Sequence, residues 1–271
     1  MENHKTKLSI IIPTWNTSKI TKKCIDTITE YLPKNYFQII IVDNGSTDDT
    51  PQILGKLKSI TYIRNSSNLG FSKANNIGVK KAKGEYLLFL NSDMELVDSS
   101  LVEMLNFIDS NSTIGMIGPK FLNPDLTDQG SVIPLQTPLN AIKEYWFNIQ
   151  NSYTKYTPQT IVPVKVDNIS GGAVLIRKSD FIKIGGWDEK YFFYYEDLEL
   201  CRQIRKQKLN IYYFPSCKVI HRHGASGSNL ANASNQWKRL IPSSIKYHGL
   251  IEHYIIYLII WISQKFSKIF P

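Results

Sequence analysis

Cysteine is scarce in this 271-residue chain: only Cys24, Cys201 and Cys217 occur, and no two of them form a C-x-x-C pair. An odd, unpaired set excludes a disulfide framework and a zinc-ribbon site, and it makes the cytosol the expected compartment. A long apolar run is also missing at the start, where Leu8 to Ile12 is closed at once by Pro13, so export by a signal peptide is not expected. No long basic run accompanies the formal charge of +9. Basic residues are scattered, so nucleic acid is not the expected partner, whereas anionic headgroups or pyrophosphate-bearing substrates answer the same excess. No G-x-G-x-x-G follows Leu8 to Ile12 either, which removes a dinucleotide-dependent oxidoreductase from consideration. No internal repeat is evident.

What is present is an ordinary globular composition, 42% hydrophobic and 20% charged. The length suits one α/β core with a short appendage. Leu8 to Ile12, Gln38 to Val42, Ile60 to Arg64 and Tyr86 to Leu90 are short apolar runs. Between them lie helical patterns at Ile20 to Tyr31, from Thr50-Pro51 onward, and at Lys73 to Ala82. That alternation predicts crossover units, and the first 120 residues read as a parallel, helix-covered sheet. From Phe121 to Pro163 periodicity fades into a variable segment. Order returns with a strand at Ala173 to Ile176, the segment Asp180 to Ile184, a Gly185-Gly186-Trp187 turn and a helix from Glu196 to Lys206.

In an open parallel sheet the ligand sits beyond the carboxyl ends of the strands. Four such ends are polar here: Pro13-Thr14-Trp15-Asn16, Asp43-Asn44-Gly45-Ser46, Asn65 to Gly70, and Asn91-Ser92-Asp93. Each alone could simply cap the next helix; all of them on one edge are harder to explain that way. Asp43 can accept from a base imide N–H or a ribose hydroxyl, which favours a nucleotide. Asp93 stands where a divalent cation could bridge it to a pyrophosphate.

Glu196 and Asp197 follow the aromatic run Tyr191 to Tyr195. Aromatic walls bind sugar faces and raise a carboxylate's pKa by excluding water, so a general base is one reading; a helix N-terminal cap is the other. His221 and His223 stand two apart after Lys218-Val219-Ile220, a candidate metal or phosphate contact, with His221 preferred. The glycine-rich stretch Gly224 to Ser228 beside them reads as a lid.

Leu250 to Ile262 is apolar nearly all round, yet as a helix it reaches only about 20 Å against a hydrocarbon core of about 30 Å. With Tyr254, Tyr257, Trp261, Lys265 and Lys268 it reads either as a membrane-interface anchor or as a helix packed on its own domain or a partner. The catalytic domain is placed at 1–249 and this apolar, basic C-terminal helix at 250–271.

The ordered set SIIIPTWN, IVDNGSTDDT, NLGFSKANNIGVKKAKGEYLLFLNSD, SGGAVLIRKSDFIKIGGWDE and FFYYEDLELCRQIR resembles family 2 of the inverting glycosyltransferases, and most nearly its bacterial rhamnosyltransferase-like members of surface-polysaccharide assembly. The resemblance spans roughly residues 7 to 228. It implies a GT-A fold, a Rossmann-like, mostly parallel sheet with helices on both faces, in which Pro13, Thr14, Trp15, Asp43, Asn68, Gly70 and Asn75 line the nucleotide pocket, with Asn16, Asn44 and Ser92 beside them. It implies a divalent cation, Mg²⁺ or Mn²⁺, at the acidic motif. That motif reads Asn91-Ser92-Asp93 here, so one carboxylate of the usual pair is absent, and His221 matches the family's later histidine. Trp187, Asp188 and Glu189 resemble the acceptor-side loop, and Glu196-Asp197 the pair whose aspartate is the base. The resemblance implies a nucleotide sugar, with dTDP-rhamnose, a UDP-hexose and a GDP-sugar all open, and a saccharide acceptor; the apolar, basic tail adds the expectation of a polyprenyl-linked saccharide met at the inner face of the cell membrane. The rival expectation is an inactive relative that keeps the fold and binds glycan or nucleotide without chemistry.

Overall fold

The structure, a computed structural model, describes residues 6–222 and 236–269. Its first half alternates as the apolar runs predict: β1 (Leu8–Thr14), α1 (Ser18–Tyr31), β2 (Phe37–Asp43), α2 (Thr50–Leu54), β3 (Thr61–Arg64), α3 (Phe71–Val79) and β4 (Tyr86–Leu90). There follow β5 (Met94–Leu96), α4 (Leu101–Asp109), β6 (Ile114–Leu122), β7 (Asp128–Gln129), β8 (Val132–Ile133), α5 (Pro138–Tyr145), β9 (Val164–Val166) and β10 (Asn168–Ile169). The chain continues through β11 (Ala173–Arg177), α6 (Lys178–Lys183), α7 (Glu196–Lys206), β12 (Asn210–His221), α8 (Trp237–His248) and α9 (Leu250–Ile269).

The main sheet has the order β3-β2-β1-β4-β11-β6-β12-β5. β1 to β4 are mutually parallel, and β12 runs parallel to β6. β11 enters antiparallel between β4 and β6, and β5 lies antiparallel on β12. The parallel sheet expected of the first 120 residues is therefore not contiguous, because its fifth member reaches β4 only through a strand from much later in the chain.

Strands covered on both faces must be apolar at every position. Ile10 and Ile12 of β1, with Ile39 and Ile41 of β2, pack under Cys24, Ile25 and Ile28 of α1 and Leu101, Met104 and Leu105 of α4. The intervening Ile11, Ile40 and Val42 face the other way, toward Ala74 of α3, Phe181 of α6 and Leu200, Cys201 and Ile204 of α7. Truncating a fully buried side chain such as Ile11 would cost on the order of 2–5 kcal/mol. α3 lies close on the sheet because Gly78 leaves room: a Cβ there would come within 2.5 Å of Ile11 Cγ2.

The stretch from Phe121 to Pro163 is more ordered than its composition predicts. Thr137 caps α5 by accepting from Asn140 N at 3.2 Å, and Pro138 occupies the first turn. A bridge between Val132 and Tyr156 then ties the segment back to β8, which pairs with β10. The C-terminal helix runs on past Ile262 to Ile269. Trp146 Nε1 donates to Ile259 O, Ser263 Oγ to Tyr145 O, and Ser244 Oγ shares a hydrogen bond with His253 Nδ1, so α9 packs on α5 and α8. Among the described residues no helix is long and apolar enough to cross a membrane.

Candidate active site

The polar strand ends meet along one edge of the sheet, and hydrogen bonds stitch them together. Asn16, in left-handed backbone with φ 54°, donates its N–H to Ser46 Oγ at 2.9 Å and accepts from Thr47 N, joining the β1 loop to the β2 loop. Asn44 donates to Asn68 Oδ1 and Gly70 O while accepting from Asn65 Nδ2 and Leu69 N, joining the β2 loop to the β3 loop. Thr17 Oγ1 lies 3.4 Å from Ser92 Oγ, linking β1 to the turn after β4.

This places the residues expected to line a nucleotide pocket in two layers. Pro13, Trp15, Asn16 and Asn68 are half-buried and reachable. Thr14, Asp43, Asn44, Asn75 and Ser92 are 5% exposed or less. Asp43 accepts from Ser46 N at 2.8 Å and from Tyr62 O–H at 2.5 Å, with Arg64 Nε 3.7 Å away. Burial first, and then this bond to the Asp43 carboxylate, pushes the Tyr62 phenol well above its ordinary range. Asn75 donates to Phe71 O inside α3. Gly70, at φ 86°, starts α3, and a Cβ on it would meet Phe192 O at 2.8 Å. The loop carrying the aromatic run thus rests directly on the nucleotide edge.

The turn Asn91-Ser92-Asp93 leads into β5, whose pairing with β12 sets His221 opposite Met94. That register brings His221 Nε2 to 3.6 Å from Asp93 Oδ1. His221 Nδ1 lies 2.5 Å from Gln129 Oε1, while Gln129 Nε2 donates to His221 O. The amide orientation assigns the proton to Nδ1 and turns Nε2 toward Asp93, as an outer partner does for a ligating histidine. Gln129, from the segment that looked featureless, is a site residue the sequence did not disclose. His223 and the glycine-rich stretch Gly224 to Ser228 lie outside the described residues. Among the described residues no group of three or more His, Cys, Asp or Glu side chains could hold a metal ion. Asp93 and His221 fit a divalent cation that takes its remaining ligands from a diphosphate and water, as Mg²⁺ commonly does.

Asp197 accepts from Gly171 N at 3.1 Å through Oδ2. The next residue, Gly172, accepts at its carbonyl from Asn91 N at 2.8 Å. Two consecutive residues, about 3.8 Å apart at Cα, therefore hold the candidate base on one side and the acidic turn on the other. Glu196 is buried, and its Oε2 has no hydrogen-bond partner among the described residues. Burial first, and then the Asp197 charge, push its carboxyl up to about 8 against smaller opposing pulls from its own backbone N–H and, less, from Lys155. Tyr194 and Tyr195, immediately before it, sit in left-handed backbone at φ 71° and 68°. Non-glycine residues held there cost about 1–3 kcal/mol each and gather at functional sites.

The acceptor-side loop has its own arrangement. The Trp187 ring is inside the core, edge-on to Phe71 and Phe89 at centroid distances of 5.2 Å. Asn76 donates to Trp187 O and Glu189 Oε1 and accepts from Trp187 N. Asp188 and Glu189 border an open cleft of about 440 Å³ between α3 and α7, with Gln203 on its far wall. What Trp187 gives the site is support from beneath, since no face of its ring is open to a sugar.

A family model described as glycosyl transferase family 2 matches residues 9–185. The chain belongs to glycosyltransferase family 2. A second model, described as the N-terminal domain of galactosyltransferase, matches residues 152–223 and so takes in Glu196, Asp197 and His221. Rhamnosyltransferase WbbL of Escherichia coli is 25% identical over 250 residues, 88% of this chain and 91% of that protein. The N-acetylglucosaminyl-diphospho-decaprenol L-rhamnosyltransferase of Mycobacterium tuberculosis is 27% identical over 210 residues, 69% of this chain and 67% of the other. The O-antigen biosynthesis protein RfbC of Myxococcus xanthus is 25% identical over 81% of this chain, which spans 18% of that longer protein. Among solved structures, GalNAc-T7 with UDP, GalNAc and Mn²⁺ superposes with a TM-score of 0.66 at 17% identity, covering 94% of this chain and 50% of that one. TarS 1–349 of S. aureus with UDP gives 0.59 at 18%, covering 94% and 69%. These likenesses establish the GT-A fold.

Proposed function

We propose that this family 2 glycosyltransferase moves a sugar, with inversion, from a nucleoside-diphosphate sugar to a hydroxyl of a saccharide acceptor in the assembly of a cell-surface polysaccharide. The observation that carries the reading is the Gly171-Gly172 hinge, which bonds Asp197 with one residue and the Asn91–Asp93 turn with the next. The nucleotide lies on the stitched edge beside Trp15 and Asn68, and its diphosphate reaches Asp93 and His221. Asp197 takes the proton from the acceptor hydroxyl as that oxygen attacks the anomeric carbon from the face opposite the diphosphate. Burial, and then the neighbouring Asp197 carboxyl, raise the Glu196 pKa and so favour its neutral form beside the proposed base. A divalent cation bound at Asp93 and His221 would supply positive charge to the diphosphate oxygens.

The donor we propose is dTDP-rhamnose or a UDP-sugar. The relatives named as rhamnosyltransferases support the first, and the UDP carried by the fold's neighbours supports the second. The acceptor we propose is linked to a polyprenyl diphosphate, the class the Mycobacterium relative's name contains. The site of action is the cytoplasmic membrane surface. α9 turns His253 and Ile256 inward and leaves Ile251, Tyr254, Ile255, Leu258 and Trp261 exposed. Lys265 lies over Trp261, and Lys238 over the exposed Trp237 of α8. Apolar side chains rimmed by cations match an anionic bilayer surface.

Thermal unfolding in the presence of UDP, dTDP or GDP, each with and without Mn²⁺, tests the assignment. A ligand at about 100 times its Kd stabilises by about 2.7 kcal/mol, a rise in Tm of roughly 5–10 °C. One nucleotide should produce that rise, the metal should increase it, and Asp93→Ala should remove the metal's share. No response to any nucleotide would leave the inactive glycan-binding relative as the reading.

A further inference from the structure

Lys155 comes from the segment between α5 and β9, outside the motifs that carry the family resemblance. The Val132–Tyr156 bridge fixes the adjacent backbone. From there its Nζ reaches Ser170 Oγ at 3.2 Å, one residue before the Gly171 that holds Asp197. It is also near enough to Glu196 to act on that carboxyl electrostatically. The ammonium makes no ion pair among the described residues, and its only hydrogen bond there is to that neutral hydroxyl. It is an exposed, unneutralised cation at the mouth of the catalytic pair.

The chain leading to it connects two surfaces. Trp146, Phe147 and Ile149 are exposed beside α9. Ile149 and Lys155 are six positions apart, a span of at most about 20 Å. Between them the Tyr153 ring packs on Tyr145 at 6.0 Å. Reading along this path, an apolar surface gives way to a cation, and the cation to the base. A molecule that matches it has a hydrocarbon end, a phosphate or diphosphate, and a saccharide hydroxyl, in that order.

We propose that Lys155 is the anion-binding residue for the acceptor, gripping the phosphate or diphosphate that joins saccharide to lipid and so selecting a charged over a neutral carrier. This rests on the transferase reading, with Asp197 on the acceptor hydroxyl. A free ammonium also fits the donor's diphosphate, and the two assignments separate kinetically.

The test compares one saccharide carried on a short prenyl diphosphate with the same saccharide as a neutral alkyl glycoside, in wild type, Lys155→Ala and Lys155→Arg. A hydrogen bond between charged groups corresponds to a factor of roughly 10–100 in affinity. Lys155→Ala should raise the acceptor KM for the diphosphate carrier at least tenfold more than for the neutral one, and Lys155→Arg should recover most of the difference. Equal losses on both acceptors, or a rise confined to the donor KM, would overturn the proposal. Binding of geranyl diphosphate, measured with a nucleoside diphosphate saturating the donor site, reads Lys155 without turnover. Weaker binding by Lys155→Ala supports the anion site even where no transfer is detected, an outcome that would count against the transferase reading alone. Equal binding by the two proteins overturns the anion site whatever the enzyme transfers.

Discussion

Along the nucleotide edge the loop-to-loop polar groups answer one another: Asn44 uses both ends of its amide, Asp43 both carboxylate oxygens, and Asn16 bridges two loops, while Asn75 Oδ1, inside α3, is left without a partner among the described residues. A few residues away, across Gly70 and Phe192, the catalytic edge is built differently. Glu196 has a buried oxygen without a partner, and Tyr194 and Tyr195 hold left-handed backbone. Groups that are satisfied need no rearrangement to receive a nucleotide, whereas unsatisfied or strained groups are kept for a partner that arrives later. On the proposed assignment of the two edges, the contrast pairs rigidity with donor binding and stored energy with the chemical step.

The strongest way to sharpen it is Asp197→Asn. A positioned general base is worth about 10²–10⁴ in rate, so kcat should fall by roughly 10³ while nucleotide-induced stabilisation stays within about 1 °C of wild type. Parallel loss of both would mean that the two edges are not separable. Gly70→Ala attacks the contact between them. Its Cβ would press on Phe192 O and its φ would become unfavourable, for a cost of about 1–3 kcal/mol in stability. Transmitted through the aromatic loop to Glu196 and Asp197, the displacement should lower kcat by about 10²-fold. A Gly70→Ala enzyme with normal kcat would show that this loop does not position the carboxyls.

Asn44→Ala is the donor-edge counterpart. It takes from Asn65 Nδ2 and Leu69 N the oxygen they donate to, and removes one donor each from Asn68 Oδ1 and Gly70 O, at about 1–3 kcal/mol for a buried group left unsatisfied. The expected result is a Kd for the nucleoside diphosphate raised about tenfold, with kcat at saturating donor changed less than threefold. Titration calorimetry beside steady-state kinetics would read both. A kcat effect exceeding the Kd effect would break the division of labour.

The same contrast decides what was legible in the sequence. β4, Tyr86 to Leu90, and α7, Glu196 to Lys206, lie where periodicity places them, because a doubly covered strand and an amphipathic helix impose local patterns. The strand ends gather on one edge because parallel topology forces them to. Of β12 only the end, Lys218 to Ile220, is legible as a strand, since Pro215 and a register shift between Phe214 and Lys218 interrupt its alternation. The antiparallel insertion of β11 depends on pairing across a long stretch of chain, which no local pattern encodes. Thr137-Pro138 was a readable cap that would have announced α5. Gln129 and Lys155 had no such signal. Each matters only for what it touches, His221 in one case and Ser170 in the other, 92 and 15 residues away.

The smallest effect on activity, and the one that isolates the stored energy, is Glu196→Gln. Burial raises the folded-state pKa of Glu196 from the ordinary 4.5 to about 8. Between those values the folded protein keeps a proton that the unfolded chain has released. The stability this proton contributes is complete below pH 4.5, declines as pH rises through the interval, and is gone above about 8. Glutamine stays neutral, so the variant lacks that decline. It should melt within a degree or two of wild type at pH 4.5 and roughly 10 °C above it at pH 8.5. Loss of the Glu196 proton beside Asp197 should make kcat/KM fall near pH 8 in the wild type, and that fall should flatten in the variant, with a change of only a few-fold at pH 7. If the difference in Tm were the same at every pH, Glu196 would be ionised in the folded protein throughout. The catalytic edge would then carry two charges, and its contrast with the nucleotide edge would be one of geometry alone.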